Sequence, residues 1–373
     1  MKKERKRKLK EARLVINCSI GSLGIAAGCD RYRDQFWTRD FSLAGLDALM
    51  KMEYQDIASK HLFAIAARQK RSGSIPARFT KNRIRFAQKL FKEEIAREWG
   101  FLIRKSLLSQ IYIIKRNPFN FRRWIIWYAD IEILFIIAAK EYIISTNDFE
   151  IERFLTSNID KAFNYVETHL MQNGLVVGSD WRDVVYALSD KYVFSVNILL
   201  WKAYILNGKS SKAAILQANI ERNFWNGYYY NDTSTDSNFD TLGHALAILW
   251  DFIPVDRYEK IVKKLEEMRT PYGFKANDMT LPKELSDYQE HERTNQFSVV
   301  WPFIHGYAIL ALIYMKQFDM AEEQMALWDQ LDNFYEWYNP IDGSGHGEKN
   351  QMWSAALYLR AANKLEKLQE ISV

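Results

Sequence analysis

Residues 120–143 read NFRRWIIWYADIEILFIIAAKEYI, and their apolar side chains recur at intervals of three and four. This spacing places those side chains on one face of an α-helix, because the helix repeats every 3.6 residues. The face consists of Trp124, Trp127, Ile131, Leu134, Phe135 and Ala138. We therefore predict a helix over this stretch.

The same periodicity runs through almost the whole chain and predicts an all-α protein. Counting 83–114 as one or two helices, the sequence predicts about twelve of them. Short polar turns separate them, and no Ser/Pro/Gly-rich linker or low-complexity tract interrupts the chain. A single helical domain fits best. The other predicted helices are 41–51, 55–69, 150–171, 191–206, 211–224, 240–252, 255–268, 301–316, 319–331 and 351–367.

Twelve helices in one domain allow either an open solenoid or helical hairpins closed into a toroid. A solenoid should repeat its sequence at a fixed period, and this chain does not. Instead, dissimilar loops that carry Trp, Asp and Glu follow alternate helices, as expected where loops gather around one axial pocket. We predict an (α/α)6 toroid and, from that pocket, an enzyme.

The chain of 373 residues has a net charge of +5, and its positive charge is concentrated at the start. The first thirteen residues, MKKERKRKLKEAR, contain eight Lys or Arg and two Glu. We divide the chain into a basic arm, 1–19, expected to be a solvated helix or frayed terminus, and a catalytic domain, 20–373. The nearly neutral remainder predicts no nucleic-acid binding.

Several classes of location and chemistry fit the sequence poorly. The segment LVINCSIGSLGIAAGC, which follows the first thirteen residues, is interrupted by polar residues and Gly, unlike the apolar region of a signal peptide. The apolar stretch 124–144 carries four charged residues, too many for a membrane span. Cys18 and Cys29 provide neither a disulfide framework nor a metal site, and the His residues lack ligand spacing. We expect a cytoplasmic protein without metal or cofactor.

Two polar groups in apolar surroundings are the first candidates for a site. Trp37, Arg39 and Asp40 precede a predicted helix and combine an aromatic plate with a charged pair, which suits a sugar ring, although Arg beside Asp can also be an ion pair at a helix start. Asp130 lies in the apolar stretch 120–143, where a carboxylate has to be solvated, paired or directed into a polar cavity. An ion pair with a nearby Arg is the alternative for Asp130.

Two further loops carry carboxylates next to tryptophan. Asp180, Trp181 and Asp183 lie ahead of a long helix, in GLVVGSDWRDVVYALSDKYVF. Glu336 stands between aromatic residues before a Gly-rich loop, and Trp353 follows it by seventeen residues at the start of the last helix.

These motifs resemble, in order, those of the (α/α)6 six-hairpin glycosidases, a group that includes glucoamylases and the glucosidase domain of glycogen debranching enzymes. The resemblance covers about residues 20–367 and rests on IAAGCDRYRDQFWTRDF, GSIPARF, the Asp130 and Asp180–Asp183 regions, and NQFSVVWPFIHG with Trp301. Its most specific element is the Glu followed after seventeen residues by Trp-Ser-x-Ala, here Glu336 and Trp353. Such domains often follow a β-sandwich, and because only about twenty residues precede the resemblance here, we expect a bare catalytic domain with little affinity for polymers.

The resemblance implies hydrolysis of an α-glucoside or short oligosaccharide with inversion. Such enzymes use a carboxylic acid and a carboxylate ~6.5–9.5 Å apart. Glu336 corresponds to the general base and Asp183 to the general acid, with Asp180 as the alternative acid. The resemblance implies that Arg39, Asp40 and Asp130 hold the sugar; we add four tryptophans as stacking candidates: Trp37, Trp181, Trp301 and Trp353.

Two other functions remain open from the sequence. Toroids of this kind also occur in sugar epimerases and phosphorylases, and an epimerase would need a pair of His, for which only His305 and His346 lie in suitable loops. The other alternative is a helical scaffold that binds RNA through the basic arm.

Overall fold

The computed structural model describes residues 2–80, 128–182, 188–279 and 299–371. In these residues the chain forms twelve helices. They are α1 (Lys2–Ser19), α2 (Thr38–Asp40, a π-helical turn Phe41–Gly45, and Leu46–Lys51), α3 (Gln55–Ala66), α4 (Ile131–Thr146), α5 (Phe149–Tyr165, with a π-helical turn Val166–Leu170), α6 (Phe194–Leu206), α7 (Ser210–Phe224), α8 (Thr241–Leu249), α9 (Tyr258–Glu267), α10 (Pro302–Tyr314), α11 (Phe318–Gln330) and α12 (Met352–Ile371).

The even-numbered helices form a closed inner ring. Each packs against the next, α2 on α4, α4 on α6, α6 on α8, α8 on α10 and α10 on α12, and α12 returns to α2. The odd-numbered helices pack outside, as α5 does on α4 and α7 on α6. This closure confirms the (α/α)6 toroid and excludes an open solenoid.

Burial differs between the two rings. In the inner helix α10, every residue from Pro302 to Ile313 is buried, because neighbours cover it on all sides. In the outer helix α9, only Ile261 and Leu265 are buried, one turn apart on a single face. The core therefore lies between the rings and along the inner ring.

Four short β-hairpins connect outer helices to inner ones, and a fifth strand pair joins the segments before α2 and after α3. Each strand has two residues, and all five pairs are antiparallel. The pairs are β1 (Ile20–Gly21) with β2 (Gly24–Ile25), β3 (Phe36–Trp37) with β4 (Arg78–Phe79), β5 (Met171–Gln172) with β6 (Leu175–Val176), β7 (Arg269–Thr270) with β8 (Gly273–Phe274), and β9 (Trp337–Tyr338) with β10 (Gly345–His346).

A buried polar side chain at the fourth position of three inner helices fixes the chain segment that precedes each helix. Asn197 in α6 accepts a hydrogen bond from the backbone N–H of Val176 (2.8 Å), and His305 in α10 accepts one from Phe274 (3.2 Å). His244 in α8 likewise accepts a hydrogen bond from the backbone N–H of Tyr230 (3.1 Å), which lies between α7 and α8. These contacts form a structural repeat without a repeated sequence.

The first helix differs from the solvated arm that we expected. Helix α1 packs against α12 and α11, and its residues Arg5 and Lys8 are buried. Arg5 pairs with Asp329 (3.0 Å), which also accepts a hydrogen bond from the Tyr358 hydroxyl. Helix α1 thus belongs to the outer ring: its buried positions follow the helical repeat, while Lys3, Lys6, Arg7, Lys10 and Arg13 face solvent.

Within the stretch 120–143, helix α4 begins at Ile131. Tyr128 bridges to Ser179 and Asp130 is the residue just before α4, so Asp130 lies at a helix start rather than within a helix. Residues 120–127 and the predicted helices of 83–114 lie outside the described residues. Among the described residues, no helix has the length and apolar character needed to cross a membrane.

Candidate active site

One end of the toroid collects the starts of the inner helices and most of the predicted site residues. Arg39 and Asp40 lie in the first turn of α2, Asp130 immediately precedes α4, and Trp301 immediately precedes α10. Trp353 is the second residue of α12. Helix N-termini favour negative charge, so this end suits carboxylates and the electron-rich groups of a substrate.

Arg39 and Asp130 form a buried bidentate ion pair between the neighbouring inner helices α2 and α4. The Arg39 Nε–Asp130 Oδ2 distance is 2.6 Å and the Nη2–Oδ1 distance is 3.0 Å, with both side chains less than 5% exposed. Arg39 Nη2 also donates to the backbone oxygen of Asp180 (3.3 Å). Burial raises the pKa of Asp130, and Arg39 partly offsets this effect. The pair links the first two inner helices to the Asp180 loop.

Asp40 connects the first and last inner helices. Its Oδ1 accepts a hydrogen bond from Gln351 Nε2 (3.3 Å), and Asp40 is buried. Gln351 directly precedes α12. Asp40 and Arg39 therefore lie side by side at the seam where the ring closes.

Asp180 belongs to a buried charge network with Arg182 and Asp232. Arg182 donates to both Asp180 oxygens (2.9 and 2.8 Å) and to both Asp232 oxygens (2.7 and 2.6 Å), and the Ser195 hydroxyl donates to Asp180 (2.6 Å). Burial acts to raise the pKa of Asp180, but Arg182 and these hydrogen bonds hold it below its ordinary value. An ionised, fully bonded carboxylate is poorly suited to donate a proton.

Asp240 lies beside this network and has the opposite electrostatics. Its Oδ1 accepts from the Leu242 N–H (3.1 Å), whereas its Oδ2 is buried without a hydrogen-bond partner. Burial raises the pKa of Asp240 to about 8, and the negative charges of Asp232 and Asp180 contribute to the same rise. Asp183, our predicted acid, lies outside the described residues.

Glu336 is held between two hydrogen-bond donors. The Tyr32 hydroxyl is 3.4 Å from each carboxylate oxygen, and the Glu348 N–H donates to Oε2 (3.0 Å). Gly347 lies against this carboxylate, with a φ of +74° and only 2.3 Å between Oε2 and the place a Cβ would occupy, so both conformation and space favour glycine there. Burial raises the pKa of Glu336, while Arg31 and Tyr32 counteract it. A raised pKa makes this carboxylate a stronger base than an exposed glutamate.

A second carboxylate, Glu348, fixes the loop that carries Tyr32. Its Oε1 accepts from the Asp30 N–H (3.1 Å) and its Oε2 from the Arg31 N–H (2.8 Å). Glu348 is 1% exposed and packs so closely against Gly28 that a Cβ atom at residue 28 would collide with the Glu348 side chain. Tyr32 and Glu336 are therefore positioned by one shared support.

The four predicted stacking tryptophans occupy two different environments. Trp181, Trp301 and Trp353 pack together, with ring centroids 5.2 Å apart for the first two and 5.7 Å for the last two. Each is at most 5% exposed, so they present little ring face to a ligand. Trp37 is only half-buried and lies under the Arg78 guanidinium (5.2 Å).

Buried histidines serve the fold rather than acid–base chemistry. Burial lowers the pKa of His244 to about 3 and that of His305 to about 4, so both are neutral. His305 is fully buried and bonded to two backbone groups, and His346 stacks on Trp337 (4.2 Å). In the described residues no group of three His, Cys, Asp or Glu could hold a metal ion.

Solved structures match this arrangement over nearly its whole length. A protein described as a wild-type glycosidase aligns with a TM-score of 0.68 at 12% identity over 97% of both chains. The chain has the six-hairpin glycosidase fold. The GH63 mannosylglycerate hydrolase from Thermus thermophilus, in complex with Tris, gives 0.64 at 12% identity, covering 94% of this chain and 98% of the other. A rhamnosidase from Klebsiella oxytoca with rhamnose bound gives 0.63 at 13%, covering 96% and 64%.

Neither a protein-family model nor a curated protein sequence matches the chain. Within the six-hairpin glycosidase fold, sequence reasoning missed Tyr32, Glu348, Asp232 and Asp240 as groups of this end. Tyr32 stood inside a quoted motif, and Gly347 beside Glu348 was a visible signal of close packing. Asp232 had no local signal, because its partner Arg182 is fifty residues away. Asp240 interacts with Arg182 only through its charge, which no local pattern encodes.

Proposed function

We propose that this protein is a glycoside hydrolase that cleaves an α-glucoside or a short oligosaccharide with inversion of configuration. One observation carries the proposal: Glu336 is a largely buried carboxylate held by Tyr32 and Glu348 at the end of the toroid where the Arg39–Asp130 pair lies. The fold, shared with several glycosidases, adds support.

In the proposed reaction Glu336 removes a proton from water as the water attacks the anomeric carbon. Asp183 donates a proton to the leaving oxygen as the glycosidic bond breaks, so the free sugar emerges with inverted configuration. Arg39 and Asp40 hold the hydroxyls of the sugar whose bond is cleaved, with Asp130 fixing the Arg39 guanidinium. The bonding of Asp180 by Arg182 and Ser195 favours Asp183 over Asp180 as the acid.

A substrate panel tests the activity. Aryl α-glucosides and α-linked disaccharides come first, followed by α-rhamnosides and a mannosyl-glycerate, which are suggested by the names of the structural neighbours. Release of sugar by wild type, and its loss in Glu336→Gln, would support the proposal. No release from any member, or equal release by the variant, would contradict it.

The stereochemistry and the acid are tested separately. Proton NMR of the first-formed sugar should show the anomer opposite to that of the substrate; the same anomer would contradict inversion. Asp183→Asn should lose activity mainly on alkyl glycosides, while an aryl glycoside with a good leaving group should react much faster, because it departs without a proton. If Asp180→Asn shows this pattern and Asp183→Asn does not, the acid is Asp180.

Neither an epimerase nor an RNA-binding scaffold gains support. An epimerase would need titratable His, and burial keeps His305 neutral. For an RNA-binding scaffold the basic segment should be a free arm, yet Arg5 and Lys8 are buried against α11 and α12. Deleting residues 1–13 would therefore disturb the fold and cannot by itself separate RNA binding from hydrolysis.

A further inference from the structure

The two cysteines of the chain, Cys18 and Cys29, lie next to each other in the fold. Cys18 is in the last turn of α1 and is exposed, whereas Cys29 is buried in the segment that leads to Tyr32. The β1–β2 hairpin between them returns the chain along the end of α1, where the Ala26 N–H donates to the Ser19 backbone oxygen (2.8 Å). Their spacing in the sequence predicted no disulfide, but the hairpin brings the two side chains into contact.

The contacts of the Cys29 sulfur place it on the face of α1 that carries Cys18. Its thiol donates to the Val15 backbone oxygen (3.3 Å) and lies 3.6 Å from the Ser19 hydroxyl. Val15 is three residues before Cys18 and Ser19 is the residue after it, so these contacts flank Cys18 in one helical turn. Burial, and after it the hydrogen-bonding Cys18 thiol, raises the pKa of Cys29 to about 12. An oxidant in solution therefore reacts first with the exposed Cys18, and Cys29 stands beside it.

Cys29 also begins the segment that positions the hydroxyl bonded to the proposed base. The two residues after Cys29 donate their N–H groups to Glu348, and Tyr32 follows, with its hydroxyl on Glu336. Helix α1 is a firm anchor for this segment, because it packs against α11 and α12. A covalent link between Cys29 and α1 would restrain the start of the segment without touching either carboxylate.

We propose that Cys18 and Cys29 are a redox-active pair that closes to a disulfide and so tethers the Tyr32 segment to α1. With oxidised glutathione as the oxidant, the Cys18 thiolate attacks one sulfur and releases a thiolate, which takes up the proton that Cys18 has lost. Cys29 then attacks the Cys18 sulfur of the mixed disulfide, and the second glutathione leaves with the Cys29 proton. Two protein thiols thus become one disulfide, and the oxidant becomes two thiols. This chemistry does not depend on the proposed hydrolysis.

Intact-mass spectrometry after alkylation in urea tests the bond. As the oxidised fraction of a glutathione buffer increases, wild type should pass from two alkyl groups to none, without a glutathione adduct. Cys29→Ser should instead accumulate an adduct on Cys18, because the second thiol is missing, and Cys18→Ser should keep its buried thiol. Wild type that retains both thiols, or that ends as an adduct or as a disulfide-linked dimer, would overturn the proposal. The wild-type result decides even if a variant does not fold.

Hydrogen exchange measured by mass spectrometry tests the tether. In oxidised wild type, the amides from Ala26 to Tyr32 should exchange about threefold more slowly or less, relative to the reduced protein, because a covalent link to α1 suppresses local opening. Helix α9, on the outer ring away from α1, should exchange equally in both forms. Cys18→Ser in the same two buffers should show no difference over 26–32. Equal exchange of 26–32 in oxidised and reduced wild type would overturn the tether.

Discussion

At the scale of single residues, Glu336 is the group on which the proposed chemistry depends most. Glu336→Gln keeps the shape of the side chain and can still accept from Tyr32 and the Glu348 N–H, but it cannot take a proton from water. We expect kcat to fall by about two to four orders of magnitude while KM changes little. Steady-state kinetics on the best substrate measures this, with Glu259→Gln as the exposed control. Wild-type turnover would exclude Glu336 as the base.

Tyr32 should set the pH at which this base works. Its hydroxyl lowers the pKa of Glu336 by stabilising the carboxylate, so Tyr32→Phe should raise that pKa. Because the base acts when ionised, the acidic limb of the pH profile of kcat/KM should move to higher pH. Tyr228→Phe, at an exposed position, should leave the profile unchanged. An acidic limb that stays in place in Tyr32→Phe would mean that Tyr32 does not act on the base.

Asp180 is expected to matter for stability as well as for geometry. Asp180→Asn leaves the fully buried Arg182 with Asp232 as its remaining bidentate partner. Removing one member of a buried ion pair costs about 3 kcal/mol of unfolding free energy. Urea denaturation measures the loss, and Asp256→Asn on the exposed surface should show almost none. Equal stabilities would mean that the network contributes little to the fold.

At the scale of elements, helix α1 supports the segment that leads to Glu336. The Lys8 ammonium donates to the Leu331 backbone oxygen and lies over the Phe334 ring (5.3 Å), two residues before Glu336. Lys8→Met removes that donor, and we expect a loss of about 1–3 kcal/mol in unfolding free energy with a several-fold lower kcat. Lys6→Met, exposed on the same helix, is the matched control. Unaltered stability and kcat in Lys8→Met would show that α1 does not support this segment.

At the scale of the whole molecule, buried histidines link the stability of the toroid to pH. His61 and His244 have pKa values near 3 and His305 near 4, because burial disfavours their charged forms. The unfolded chain takes up protons on these groups below about pH 6.5 while the folded chain does not, so their contribution is complete above that pH and is lost as the pH falls toward 4.

The replacement His305→Asn tests this linkage, since Asn197 already fills the equivalent position of α6. Between about pH 6 and pH 4.5, the unfolding free energy of wild type should fall more steeply than that of the variant by about 1.4 kcal/mol per pH unit, the effect of one proton. Urea denaturation at several pH values gives both curves. Parallel curves would show that His305 is not the titrating group.

The sequence by itself determined the helices and their alternation in burial. An apolar face at spacings of three and four is a local property, so most predicted helices agree with the observed ones to within a few residues, as 211–224 does with α7. The spacing between Glu336 and Trp353 was also readable, because both residues belong to one loop and the helix that follows it. The closed ring was predicted from the dissimilar loops that follow alternate helices, and the family resemblance from the order and spacing of the motifs.

Only the tertiary structure decided which polar groups meet. Arg39 and Asp130 are 91 residues apart, and Tyr32 and Glu336 are 304 apart, so each pair forms only because the closed ring brings different helix starts to one end. The same closure buries Trp301 and Trp353 against each other and packs α1 onto α12. No periodicity within a helix encodes such contacts, because they depend on the relative placement of elements that are distant in the chain.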